Sequence, residues 1–96
     1  MSAYVVVDVD VHDLQEFERY RVQVPPLVER HGGEYLARGG AVTVEEGNVE
    51  PHRVVILRFR DRAGAQAFFD DPDYAPVKAI RFASATSWAI IVDGVD

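Results

Sequence analysis

A chain of 96 residues with no cysteine, 48% hydrophobic residues and a formal net charge of -6 describes one small acidic globular domain spanning residues 1–96. The acidic balance argues against nucleic acid and against an anionic membrane surface, since both need a basic face. The missing cysteines exclude disulfides, thiolate nucleophiles and cysteine-held metals. No apolar run approaches the ~20 residues of a membrane span, and the N-terminus lacks a signal peptide's charged-then-apolar order, so the expected address is the cytoplasm.

Ala3 to Val11 is valine-rich and bounded by polar residues, which predicts a strand. Asp13 is a helix N-cap with Glu16 as its capping-box partner. Leu14, Phe17, Arg21, Val24 and Val28 then fall near one helical face. Pro25-Pro26 predicts a kink or restart near Val24, and His31-Gly32 ends the helix. Glu34 to Arg38 is a second strand, and strand character resumes over Ala41 to Glu45 after the Gly39-Gly40 joint. His52 to Phe59 is a third strand. Asp61 caps a short helix carrying Ala65, Phe68 and Phe69, which Asp71-Pro72-Asp73 breaks. A further helix covers about Tyr74 to Ala83, with Tyr74, Val77, Ile80 and Arg81 near one face, and Thr86 to Val92 is the last strand. The order is β-α-β-β-α-β with an extra turn of helix, an α+β, ferredoxin-like pattern of an antiparallel sheet with helices on one face.

The strands do not alternate as half-wet strands should. Val5 to Val7, Val54 to Leu57 and Trp88 to Val92 are apolar at successive positions, hence on both faces. Helices cover only one. The other would expose Val6, part of the third strand, and either Trp88 with Ile90 or Ala89 with Ile91. At roughly 1.5–3 kcal/mol for each large side chain, this is on the order of 10 kcal/mol, comparable to the whole stability of a domain. A second copy of the same sheet is the simplest cover, so a homodimer is expected. The alternative is that the tail and the extension of the second strand fold back over it.

Several motifs carry a resemblance: the opening strand with Asp8, the run His31-Gly32-Gly33-Glu34-Tyr35-Leu36-Ala37-Arg38-Gly39-Gly40, the strand entry Pro51-His52-Arg53-Val54-Val55-Ile56, the break Asp71-Pro72-Asp73-Tyr74, and Arg81 with Ser84. From about Ala3 to Gly94 the chain resembles the bacterial family labelled domain of unknown function 1330. The resemblance implies a dimeric α/β barrel in which two ferredoxin-like sheets face one another. The wider superfamily includes cofactor-independent monooxygenases, isomerases of lactone chemistry, haem enzymes and ligand sensors, so the resemblance implies no single reaction. Phe68-Phe69, Val49 and Arg58 depart from the family's common tryptophan–tyrosine pair, tryptophan and acidic residue.

Histidines at 12, 31 and 52 have no metal-like spacing, and flavin, nicotinamide and phosphate-binding motifs are missing, so neither metal nor cofactor is expected. His31 at a helix C-terminus either pairs with terminal carbonyls or moves a proton near neutrality. Arg38 beside two glycines is either an oxyanion clamp or the salt-bridge partner of an acidic residue such as Asp8. Asp8 shares a strand face with Tyr4, Val6 and Asp10; inside a barrel it would be paired or become a candidate base. Tyr35, Gly39, Gly40, Arg81 and Trp88 are the candidate ligand contacts. Against each stands a structural role: Arg81 and Ser84 anchoring the last helix, Tyr35 at the core edge, and Trp88 in the core. Two functions follow. The first is a pocket for a small anionic or phenolic molecule, with cofactor-free proton transfer or oxygenation by Arg38 with His31 or Asp8. The second is a non-catalytic binding or stress-associated module whose interior is filled and whose Asp8 and Arg38 pair with each other.

Overall fold

A computed structural model describes all residues from 1 to 96. Strand β1 (Ala3–Val11) leads into helix α1 (Leu14–Arg30), then β2 (Glu34–Arg38), β3 (Arg53–Phe59), α2 (Arg62–Asp70), α3 (Tyr74–Ser84) and β4 (Ala85–Asp93). The four strands form one antiparallel sheet in the order β2-β3-β1-β4. This is the ferredoxin-like fold, with all three helices on one face.

Local chemistry sets the boundaries. Asp13 caps α1 by accepting from the Glu16 N–H at 3.1 Å, while the Glu16 carboxylate turns to Arg19 instead of closing a capping box. Asp61 caps α2 in the same way through the Gly64 N–H. Gly32, at φ +76°, takes the left-handed conformation that ends α1. Gly33 is needed for a different reason: a Cβ there would sit 2.7 Å from the Phe59 ring and 2.8 Å from the Val28 side chain.

The expected break at Pro25-Pro26 does not occur, because α1 is one continuous helix. Val24, Leu27 and Val28 are buried around the prolines, so packing holds the helix through them. Pro25 has no N–H for the carbonyl of Arg21 four residues earlier. That carbonyl accepts instead from Arg38 Nη2 at 3.3 Å. Residues 41–45 also differ from expectation: they are exposed and form no strand, because neither sheet edge of the chain is laid against them. Leu14 stays exposed in the first turn of α1.

The core lies between sheet and helices. Val5, Leu57 and Phe59 meet Val24, Leu27 and Val28 of α1, Phe68 of α2, and Tyr74 and Val77 of α3. Phe68 stacks on Tyr74 at 4.5 Å between ring centroids and lies 5.7 Å from Phe59. The opposite sheet face has no cover. Register fixes its members: Asp8 pairs with Trp88, Val6 with Ile90 and Tyr4 with Val92, while Ile56 pairs with Val6 on the other side. Trp88 and Ile90 are therefore the exposed pair, at 53% and 51%.

Candidate functional site

Between the sheet and the helices lies a narrow cavity of about 40 Å³, within an envelope of about 540 Å³ that includes its open mouth. Its floor is Val5, Val7 and Val9 of β1 with Val55 and Leu57 of β3; Phe68 and Phe69 wall one side. Its polar groups are three tyrosines (Tyr20, Tyr35, Tyr74) and four arginines (Arg21, Arg38, Arg53, Arg81). No carboxylate and no imidazole lines it.

Tyr35 and Arg38 reach the cavity together because of a bulge. Tyr35 pairs with Leu57, but Ala37 pairs with Ile56, leaving Leu36 as the extra residue. Strict alternation would place residues three apart on opposite faces. The bulge returns Arg38 to the face of Tyr35, with its guanidinium 4.5 Å from the centre of that ring.

Arg53 enters from the start of β3, on the same face as Val55 and Leu57. Gly39, at φ +73°, gives it room: a Cβ there would collide with the Arg53 guanidinium. Gly40 has open space around it. Burial lowers the pKa of Arg53, and the neighbouring positive charges of Arg38 and Arg21 lower it further. An arginine remains charged through such shifts. Arg21 is paired with Glu18. Neither Arg38 nor Arg53 has a carboxylate partner. The mouth is thus a local excess of positive charge on an acidic protein.

Arg81 lies deeper, only 4% exposed. Nη1 donates to Ser87 Oγ at 2.8 Å, and Nε is buried with no partner. Its guanidinium is 5.8 Å from the Tyr20 ring centre. The Tyr20 and Tyr74 hydroxyls are 3.2 Å apart. Burial pushes the Tyr20 phenol far up, so it stays protonated, and burial raises Tyr35 as well. Ser84 bonds back to the Ile80 carbonyl at 2.7 Å and has no place in the cavity.

The remaining candidates lie elsewhere. His31 Nε2 is 2.8 Å from Asp71 Oδ2, in a cluster with Arg30 and Asp73 that ties the end of α1 to the break before α3. Asp8 is on the uncovered sheet face, accepting from the His52 N–H at 2.8 Å with His52 Nδ1 at 3.3 Å. That hydrogen bond holds the His52 imidazole above its ordinary range, helped by the charges of Asp10 and Asp8. Trp88 stands beside Asp8 on the same uncovered face. Arg38, Tyr35 and Arg81 therefore share one cavity, whereas His31, Asp8 and Trp88 do not enter it, and Asp8 and Arg38 do not pair. Sequence reasoning passes over Arg53, although its alternation with Val55 and Leu57 is a usable signal.

The His31 cluster has a pH signature. The hydrogen bond from His31, with those from the Asp73 N–H and Arg30, brings the Asp71 carboxyl to about 2. A carboxylate depressed in the folded state stabilises fully above its unfolded pKa, about 3.9 for a free aspartate, and loses that contribution as pH falls through the folded value. Asp71→Asn is expected to melt lower than the parent at neutral pH. The gap should narrow only below about pH 4, as read by thermal denaturation across pH. A gap that stays constant down to pH 2 would rule out this role.

No functionally curated protein matches the sequence. Solved structures share the fold at low identity. The RPA0582 protein of unknown function from Rhodopseudomonas palustris aligns at TM-score 0.81 and 18% identity, over 99% of this chain and 83% of its own. SnoaB, a cofactor-independent oxygenase from Streptomyces nogalater, aligns at TM-score 0.71 and 18% identity, over 99% and 94%. A dimeric ferredoxin-like protein of unknown function from Jannaschia sp. CCS1 aligns at TM-score 0.65 and 13% identity, over 98% and 100%. A family model matches residues 2–95, so the chain belongs to the family described as domain of unknown function DUF1330.

Proposed function

We propose that this protein binds a small organic anion with an apolar body in the cleft between its sheet and helices, and that it does so as a homodimer. The observation that carries the binding reading is the charge imbalance of the cavity. Arg38, Arg53 and Arg81 line it without a carboxylate partner, although acidic residues outnumber basic ones by 16 to 10 in the chain. Guanidinium groups without counter-ions beside apolar walls suit a carboxylate or enolate on a hydrocarbon frame. The filled-interior alternative called for Asp8 and Arg38 to pair, and they lie on different faces. The homodimer is supported by the uncovered apolar sheet face and by the similar fold of proteins described as dimeric.

The test is calorimetric titration with hydrocinnamate and with its neutral amide. The acid is expected to bind, with affinity falling as salt rises, and the amide to bind at least about tenfold more weakly. Equal affinities, or none for the acid, would sink the reading. SnoaB supplies the chemistry to assay next: oxygen uptake with enolisable or phenolic acids and no added cofactor.

Pro25 belongs to this site through the carbonyl it frees. Pro25→Ala restores an N–H that competes with Arg38 for the Arg21 oxygen. The variant is expected to gain about 1–3 kcal/mol of stability from the helix and to bind hydrocinnamate a few-fold more weakly. Chemical denaturation and titration read the two effects separately, and unchanged affinity would remove Arg38's dependence on the proline.

A further inference from the structure

We propose that Arg81 and the Tyr20–Tyr74 hydroxyl pair form an inner oxyanion subsite, so that the ligand is an aromatic or enolic acid carrying a second, ionisable oxygen at the end opposite its carboxylate. This deepens the organic-anion reading and rests on it.

Arg81 is the point of departure. Arg81 Nε is the one buried side-chain polar atom in the protein with no hydrogen-bond partner. Its single hydrogen bond goes to a neutral hydroxyl, and no carboxylate neutralises it. A buried unpaired cation is costly, and leaving a donor unsatisfied adds to the cost. A ligand oxygen bearing negative charge relieves both. The surroundings keep Arg81 free for this role. Tyr20 lies over its guanidinium but stays a neutral phenol, so it does not neutralise the charge.

The two hydroxyls supply the rest of the subsite. Tyr20 and Tyr74 are within hydrogen-bond distance, so one donates to the other and the second hydrogen remains to be offered outward. A cation and a phenol donor beside an apolar wall of Val7, Leu57 and Phe68 select a phenolate or enolate over a fully hydrated carboxylate.

Register sets the backbone separation behind the two anion sites. Arg53 and Ser87, the residue that holds Arg81, both pair with Val9, one from each side. They are two strand spacings apart, roughly 9–10 Å. A para-hydroxyphenyl ring on a three-carbon acid spans such a gap, with its carboxylate at Arg38 and Arg53 and its oxygen at Arg81.

The probe is the ring-nitrated derivative of para-hydroxyhydrocinnamate, whose phenolate absorbs visible light. It is titrated against the intact protein beside plain hydrocinnamate. The nitrophenol is expected to bind at least about tenfold more tightly, and its phenol to ionise at least about one pH unit lower when bound, the proton passing to solvent. Arg81→Gln and Tyr74→Phe should each shrink that shift in the bound phenol. A bound phenol pKa that is unchanged or raised overturns the inner subsite and leaves the carboxylate reading standing. Failure of both acids to bind overturns both. The absorbance shift on the unaltered protein decides even if Arg81→Gln does not fold.

Discussion

Exchanging Ile90 for arginine is expected to leave the protein monomeric at micromolar concentration. Ile90 lies midway along the edge strand β4 on the uncovered sheet face, paired with Val6 of β1 and flanked by Trp88 and Val92 on its own strand. In a two-fold interface one substitution acts twice. Losing two buried isoleucines costs about 3–6 kcal/mol, and burying two unpaired guanidinium groups adds to it. That is on the order of a thousandfold or more in dissociation constant. Sedimentation velocity over a concentration series reads the result. The parent should sediment as a dimer and the variant as a monomer of 10.7 kDa. A parent that is monomeric throughout would refute the homodimer, and a variant that remains dimeric would place the interface elsewhere.

The second large effect is on binding. Arg38→Ala with Arg53→Ala is expected to weaken hydrocinnamate on the order of a hundredfold. Each hydrogen bond to a charged group contributes about 1.5–3 kcal/mol, and the half-open mouth brings the pair towards the lower end. The fold should survive, because neither side chain makes a salt bridge and the core lies below them. Matched circular dichroism and melting curves check that. The double variant should also lose most of the salt dependence of binding, since the screened charges are gone. Retained affinity would mean that the mouth arginines play no part in recognition.

Much of the architecture is legible because it rests on local rules. Asp13, Asp61 and Gly32 end or begin helices through contacts within four residues, so their neighbours in the chain suffice to find them. The runs of successive apolar residues likewise announce a sheet that is apolar on both faces. The site is less legible. Of the residues singled out, Arg38, Tyr35 and Arg81 share a cavity, and Tyr20 and Tyr74 complete it. His31, Asp8 and Trp88 carry plausible chemistry by type, but their partners are Asp71, His52 and the open sheet face. Residue type says what a group can do, not what stands opposite it.

Apart from the strand expected over residues 41–45 and the break expected in α1, the helices, the strands and the two-faced sheet were determined by the sequence itself, through caps, turns and apolar patterning at short range. Tertiary structure decided the rest. Both parities of β4 are apolar, so only its pairing with β1 shows that Trp88 and Ile90, not Ala89 and Ile91, face outward. The residue types of Glu34 to Arg38 carry no mark of a bulge, so only the register against β3 shows that Leu36 is the extra residue and that Arg38 joins Tyr35. The prolines of α1 argue for a break until Val24, Leu27 and Val28 pack into the core and Arg38, seventeen residues from Arg21 in sequence, donates to the Arg21 carbonyl that Pro25 leaves free. In each case the deciding free energy is that of a contact between distant segments, and such a contact exists only once the chain has folded.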